Sequence, residues 1–282
     1  MNRETLYVSD MDGTLLNSNS VLSQYTTDKL NELIANEGVL FTVATARTPA
    51  TVVSLMSNIK ATVPFIVMTG AALWDSNADS FISVKAMPND DVRQILEVFE
   101  RHGINPFVYR RHENTLIVNH VEDLSDKEKE FIEPRIKTKY KRLHLSAKLE
   151  ADSPDEAVLV FSMGKYGTEE SIVAEIKDKN IQCAPACYYD IFDTSQGILD
   201  IYAPSTTKAH AIKQLAETLG VERIVVFGDN RNDIPMMKIA DHSVAVSNAF
   251  DDVKAIADEV IGSNDEDAVV KWIERDVLTS RQ

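Results

Sequence analysis

The chain has 282 residues, with 29 Lys+Arg against 44 Asp+Glu and a formal net charge of −15. That length exceeds the usual span of one domain, so two domains are expected. The acidity argues against nonspecific binding to nucleic acid or to anionic membranes, both of which need basic surface. Residues 6–9, 40–44 and 65–68 are short apolar runs that predict buried strands. Between them, 26–36 and 49–58 carry helical spacing, as in Leu30, Leu33 and Ile34. The apolar stretch 61–74 contains Pro64 and Gly70 and is too short and too broken to span a bilayer.

The middle, residues 84–193, has a different rhythm. Helical spacing at 89–102 precedes strand-like 107–109 and 115–118, then a charged helical stretch at 125–133. Strand-like 157–161 and a helix at 168–179 follow. After residue 195 the alternation returns: helix 209–219, strand 224–227, helix 234–239, strand 243–246, helix 253–257, strand 260–261 and helix 265–277. Strands alternating with helices predict an α/β fold, a Rossmann-like core with a parallel sheet. Residues 1–83 and 194–282 form that core, and 84–193 is an inserted α+β module. The one basic block, 135–148, contains Arg135, Lys137, Lys139, Lys141, Arg142 and Lys148 and no acid. The block could attract anions into a cleft, but its charges at 135, 137, 139 and 141 alternate, as on the solvent face of a strand or in a basic loop. Cys183 and Cys187 are the only cysteines, too few for a disulfide framework or a zinc site. With no apolar stretch of signal-peptide length near residue 1, a cytoplasmic location and no membrane partner are expected.

Two motifs carry chemistry. Asp10-Met11-Asp12-Gly13-Thr14-Leu15-Leu16 follows the first strand, where open α/β sheets hold ligands. Gly228-Asp229-Asn230-Arg231-Asn232-Asp233 follows the strand at 224–227. Asp233 ahead of Ile234 also suits a helix N-cap, a role that leaves Asp229 unused. Asp10, Asp12, Asp229 and Asp233 would repel if they met without a cation. Hard oxygen donors of this kind predict Mg2+.

With its motifs in this order over nearly the whole chain, the sequence resembles the haloacid dehalogenase superfamily of phosphatases. The large insertion resembles that of its Cof-type branch, in which an α/β cap covers the site. The resemblance implies a Thr ending the second strand, matched by Val43-Ala44-Thr45-Ala46-Arg47, and a helix-opening lysine, matched by Ser205-Thr206-Thr207-Lys208. Ala46 and Ala209 stand where the branch usually has Gly, and Thr69-Gly70 where it often has Asn-Gly.

By the same resemblance, Asp10 is the nucleophile and Asp12 the general acid/base. Mg2+ is held by Asp10, the Asp12 backbone carbonyl, Asp229 and Asp233. Thr45, Arg47, Lys208 and Asn232 contact the phosphorylated substrate. The implied activity is Mg2+-dependent hydrolysis of small phosphate monoesters, sugar phosphates or similar metabolites, through an aspartyl phosphate. A phosphomutase is the rival enzyme, and a noncatalytic phosphate-binding regulator is the rival from another class. In the inserted module, Arg110, Arg111 and His112 could contact a substrate but are expected as an exposed basic turn. Tyr188, Tyr189 and Phe192 are expected as packing near its return to the core.

Overall fold

The computed structural model describes residues 4–189 and 196–279. The chain divides into two units, Met1–Ser83 with Thr207–Gln282, and Val84–Thr206. In the first unit, β1 (Thr5–Ser9) is buried along its whole length and pairs in parallel with β2 (Leu40–Val43). Between them, α1 (Gln24–Glu32) starts at Ser23, whose Oγ accepts from the Thr26 amide at 2.9 Å. The helix loosens into a wide turn, Leu33–Glu37, and stops at Gly38 in the left-handed region (φ 67°). Helix α2 (Pro49–Leu55) follows, with Pro49 in its first turn. β3 (Phe65–Val67) continues the core through a parallel bridge between Ala44 and Ile66. The run at 61–74 then folds back as β4 (Ala72–Asp75), and β5 (Ser80–Val84) completes a three-stranded sheet.

The second unit contains α3 (Asn89–Arg101), β6 (Phe107–His112), β7 (Thr115–Val121), α4 (Asp126–Ile132) and β8 (Lys141–Ser146). It continues through β9 (Glu156–Lys165), α5 (Thr168–Asp178), β10 (Ala184–Tyr189) and β11 (Gln196–Tyr202). Its sheet runs β10-β11-β9-β6-β7-β8. Among its described residues only β7 and β8 pair in parallel, which requires a crossover, and α4 lies in that connection. Val92, Ile95 and Phe99 of α3 and Ile172 and Ile176 of α5 share a core with Val108, Val160, Leu199 and Ile201 of the sheet.

The expected boundary at 193/194 lies outside the described residues, as does Phe192. The strand beyond it corrects the assignment. β11 pairs antiparallel with both β9 and β10, so residues 196–206 belong to the second unit rather than to the core. The apolar run Ile198, Leu199, Ile201 reads equally well as a strand of either sheet, which is why the sequence pattern misplaces it. The expected basic turn is corrected too. Arg110 lies on β6, is 3% exposed and donates to the carbonyls of Glu150, Ala151 and Asp155. Arg111 pairs with Glu156, and His112 Nδ1 lies 2.8 Å from Asp155 Oδ1.

The first unit resumes with α6 (Lys208–Leu219), β12 (Arg223–Gly228), α7 (Ile234–Met237) and β13 (His242–Val246). It ends with α8 (Asp251–Lys254), β14 (Glu259–Ile261) and α9 (Ala268–Thr279). The five-stranded sheet β14-β13-β12-β1-β2 is parallel throughout. From β1 the chain goes to β2 on one side and, much later, to β12 on the other. Ser9 registers with Phe227, so Asp10 and Asp229 emerge beside one another at the carboxyl ends of adjacent strands. Among the described residues, no helix is long and apolar enough to cross a membrane.

Candidate active site

Asp10 leaves β1 in an extended conformation, its amide donating to the Phe227 carbonyl at 2.9 Å. The chain then turns through Met11–Leu15, closed by the Leu16 amide on Met11 O at 2.8 Å. Gly13 sits at φ 77°, and a Cβ there would fall 2.6 Å from Asp229 Oδ2. Only glycine meets both the left-handed backbone and this approach. The next side chain closes the gap between the two motifs, because Thr14 Oγ1 donates to Asp229 Oδ1 at 2.6 Å.

Beyond β12, the turn Arg231–Asp233 folds the Asp233 carboxylate back on its own loop. Asp233 Oδ2 accepts from the amides of Asp229 (3.2 Å) and Asn230 (3.1 Å). It makes no side-chain cap to α7, so the N-cap reading does not describe it. Its other oxygen receives Lys208 Nζ at 2.7 Å, and Lys208 also reaches Asp10 Oδ1 at 2.6 Å. Lys208 is the first residue of α6, whose N-cap Thr207 accepts from the His210 amide at 3.1 Å. Gly70 allows that start to come close, since a Cβ on it would lie 2.4 Å from Thr207 O.

Asp10, Asp229 and Asp233 therefore converge, each offering an oxygen within 4.8 Å of the others. Asp10 is 7% exposed, Asp233 fully buried and Lys208 3% exposed. Three carboxylates with one ammonium leave surplus negative charge in a low-dielectric place. Burial, reinforced by Asp233, pushes the Asp10 carboxyl well above the usual carboxylate range, although Lys208 opposes the shift. Burial raises Asp229 to about 6 against the pull of the Thr14 hydroxyl. Burial works against the Lys208 charge, but Asp10 and Asp233 outweigh it and hold the ammonium. Hard oxygens, surplus charge and depressed acidity together fit a divalent cation.

The other expected residues make none of the hydrogen bonds that join this trio to Lys208, although Asp12 acts electrostatically on Asp229 and Asp10 on Arg47. Asp12 is half-exposed, and Arg47 holds its carboxylate through Nε–Oδ2 (2.7 Å) and Nη2–Oδ1 (2.6 Å). Thr45, 1% exposed, accepts from the Arg47 amide through Oγ1 at 3.1 Å. Asn232 is exposed. Thr14 had a signal in the first motif that sequence reasoning left unused. Asn248, whose Nδ2 donates to Gly13 O at 2.7 Å, had none.

The family model for haloacid dehalogenase-like hydrolases matches residues 7–273. The chain belongs to that family. A 5-amino-6-(5-phospho-D-ribitylamino)uracil phosphatase of Bacillus subtilis, YcsE, is 29% identical, with 97% of this chain and 96% of that protein aligned. The pyridoxal phosphate phosphatase YbhA of Escherichia coli is 23% identical, covering 94% of this chain and 95% of its own length. A haloacid dehalogenase-like hydrolase from Bacteroides thetaiotaomicron superposes with a TM-score of 0.74 at 21% identity, over 96% of this chain and 98% of the other. Within the family the protein is a phosphatase of the Cof type.

Proposed function

We propose that this phosphatase hydrolyses small phosphate monoesters, sugar phosphates or similar metabolites, with Mg2+ and through a phosphorylated Asp10. The observation that carries the reading is the meeting of Asp10, Asp229 and Asp233 around Lys208. Asp10 attacks phosphorus, the ester oxygen leaves with a proton from Asp12, and Asp12 then takes a proton from the water that cleaves the acyl phosphate. Lys208 neutralises charge between the nucleophile and the incoming phosphoryl group. Thr45 and Asn232 donate to phosphoryl oxygens, and Arg47 adds a guanidinium contact. Asp10, Asp229, Asp233 and the Asp12 carbonyl would hold Mg2+, which when bound offsets the repulsion between an anionic nucleophile and an anionic ester.

The second unit serves as a cap that selects the leaving group. Relatives named for a phosphorylated ribitylaminouracil and for pyridoxal phosphate support a phosphorylated metabolite as substrate. Both cysteines are free thiols, which supports a reducing, cytoplasmic setting. Asp10→Asn should lower turnover of p-nitrophenyl phosphate on the order of 10³-fold or more. The wild type should form an acid-stable phosphoenzyme in rapid quench, and Asp10→Asn none. Release of inorganic phosphate without a bisphosphate activator separates hydrolysis from mutase chemistry. A panel of phosphorylated sugars, nucleotides and cofactors identifies the substrate.

A further inference from the structure

Asn248 follows β13 in the loop that leads to α8, and β13 neighbours the strand that delivers Asp229. Its Nδ2 donates to Gly13 O at 2.7 Å, and its Oδ1 accepts from the Asn264 amide at 3.0 Å. Asn264 in turn donates through Nδ2 to Leu16 O at 2.9 Å. The Asn248 loop also reaches the second acidic motif, because the Phe250 amide donates to Asp229 O at 3.0 Å. Two loops from late in the chain thus hold the turn after Asp10 at its middle and at its end. The partners dictate the residue type at 248. Gly13 O only accepts and the Asn264 N–H only donates, so one side chain must donate from one atom and accept at another. A carboxamide does both, whereas a carboxylate has nothing to donate.

Gly13 is where the turn needs an outside tie. It lies at φ 77°, ψ −6°, and with no side chain it does little to restrain the peptide that follows it. That peptide joins Gly13 to Thr14, whose Oγ1 donates to Asp229 Oδ1 at 2.6 Å. The peptide is planar, so turning the Gly13 carbonyl turns the Thr14 amide with it and re-aims the Thr14 side chain. Asn248 is exposed, where water competes for its hydrogen bonds, so they add little to stability. What they fix is a direction.

We propose that Asn248 is a positioning residue of the active site. By holding the Gly13–Thr14 peptide, it keeps the Thr14 hydroxyl on Asp229 and so sets the direction of that carboxylate. This role rests on the proposed part of Asp229 in turnover.

The test is a double-mutant cycle between Asn248 and Thr14 in the full-length protein, read by steady-state kinetics on p-nitrophenyl phosphate with MgCl2. Asn248→Ala should lower kcat about tenfold and leave KM within about twofold of wild type, the scale of one lost positioning hydrogen bond. Asn248→Asp should lower kcat further, because a carboxylate then faces the Gly13 carbonyl. Urea midpoints of both variants should stay near that of the wild type, so the loss does not come from unfolding. In Thr14→Val, which lacks the hydroxyl, Asn248→Ala should cost no more than about twofold further, since the link it serves is already gone. The full loss repeated in Thr14→Val overturns the proposal. So does an unchanged kcat in both Asn248 variants, whether KM stays or rises. Asp229→Asn separates the two levels. Full turnover in Asp229→Asn would remove Asp229 from the chemistry and this role with it. Lost turnover there beside full kcat in the Asn248 variants would remove the role of Asn248 alone. If Thr14→Val does not fold, Thr14→Ala takes its place in the cycle.

Discussion

Arg47 grips both carboxylate oxygens of Asp12, at 2.7 Å and 2.6 Å, so the side chain assigned to proton transfer is held by the one expected to meet substrate. Asp12 in turn draws the guanidinium further toward its charged form. The fork fixes the plane of the Asp12 carboxylate as well as its position, which a lysine ammonium cannot do.

Arg47→Ala should therefore lower kcat about tenfold or more, the lower range for a disturbed acid/base, and Arg47→Lys should recover only part of it. Both partners are partly exposed, so the stability change should stay within about 1 kcal/mol. Steady-state kinetics beside a urea melt checks both points. A variant with full kcat would show that the clamp has no catalytic role.

The surplus charge around Asp10, Asp229 and Asp233 makes a second expectation. In chelator, Asp229→Asn should be more stable than the wild type, because one of three crowded carboxylates is gone. With Mg2+ at 100 times its Kd the wild type should gain about 2.7 kcal/mol, and Asp229→Asn little of it. Paired thermal melts with EDTA and with MgCl2 make the comparison. Equal gains for both proteins would remove Asp229 from the ligand set.

Much of this site could be read before the fold was seen, for a physical reason. Carboxylates that must converge have to follow buried strands, and strand plus Asp-x-Asp-Gly-Thr is a compact pattern. Asp10, Asp229 and Asp233 were accordingly legible at their own positions, whereas Lys208 came only from the family resemblance. The Asp12–Arg47 pair was not, because two residues 35 apart in sequence announce no mutual contact. Lys141 was hidden for the opposite reason: its alternation with Lys137 and Lys139 imitates a solvated face, whereas at the start of β8 it is 3% exposed. The domain return failed similarly, since Ile198, Leu199 and Ile201 carry no mark of which sheet they join.

His120 gives the second unit a pH-dependent contribution to stability. It is fully buried, with Nδ1 2.9 Å from Val121 O and Nε2 2.9 Å from Asn105 O. Carbonyls only accept, so both nitrogens donate and the ring is an imidazolium, with Glu128 Oε1 3.6 Å away. Burial opposes the charge, but Glu128 and the two carbonyls outweigh it and raise the pKa. A raised folded-state value gives stability that is complete below the unfolded value, near 6.5, and lost as pH rises through the folded value. Losing one donor leaves a buried carbonyl unpaired, so the His120 contribution should drop by about 1–3 kcal/mol between mildly acidic and alkaline pH. Urea unfolding across that range should show the slope in the wild type and a flatter one in His120→Gln. An identical slope in the variant would assign the effect elsewhere.

Thr69 stores strain where the chain approaches the Thr45 strand end. It lies at φ 57°, ψ 23°, flanked by Met68 at φ 52° and Gly70 at φ 93°. A β-branched residue in the left-handed region costs roughly 1–2 kcal/mol. The conformation is retained because the Thr69 amide donates to Thr45 O at 2.9 Å, tying the turn to the strand end. Asparagine tolerates this region, so Thr69→Asn should raise stability by about 1 kcal/mol with the backbone bond kept. Thr69→Gly should gain less, since glycine frees the unfolded chain as it relieves the folded one. Denaturant midpoints at constant slope test the order Asn above Gly above Thr. Thr above Asn would mean that the threonine side chain contributes more here than its backbone strain costs.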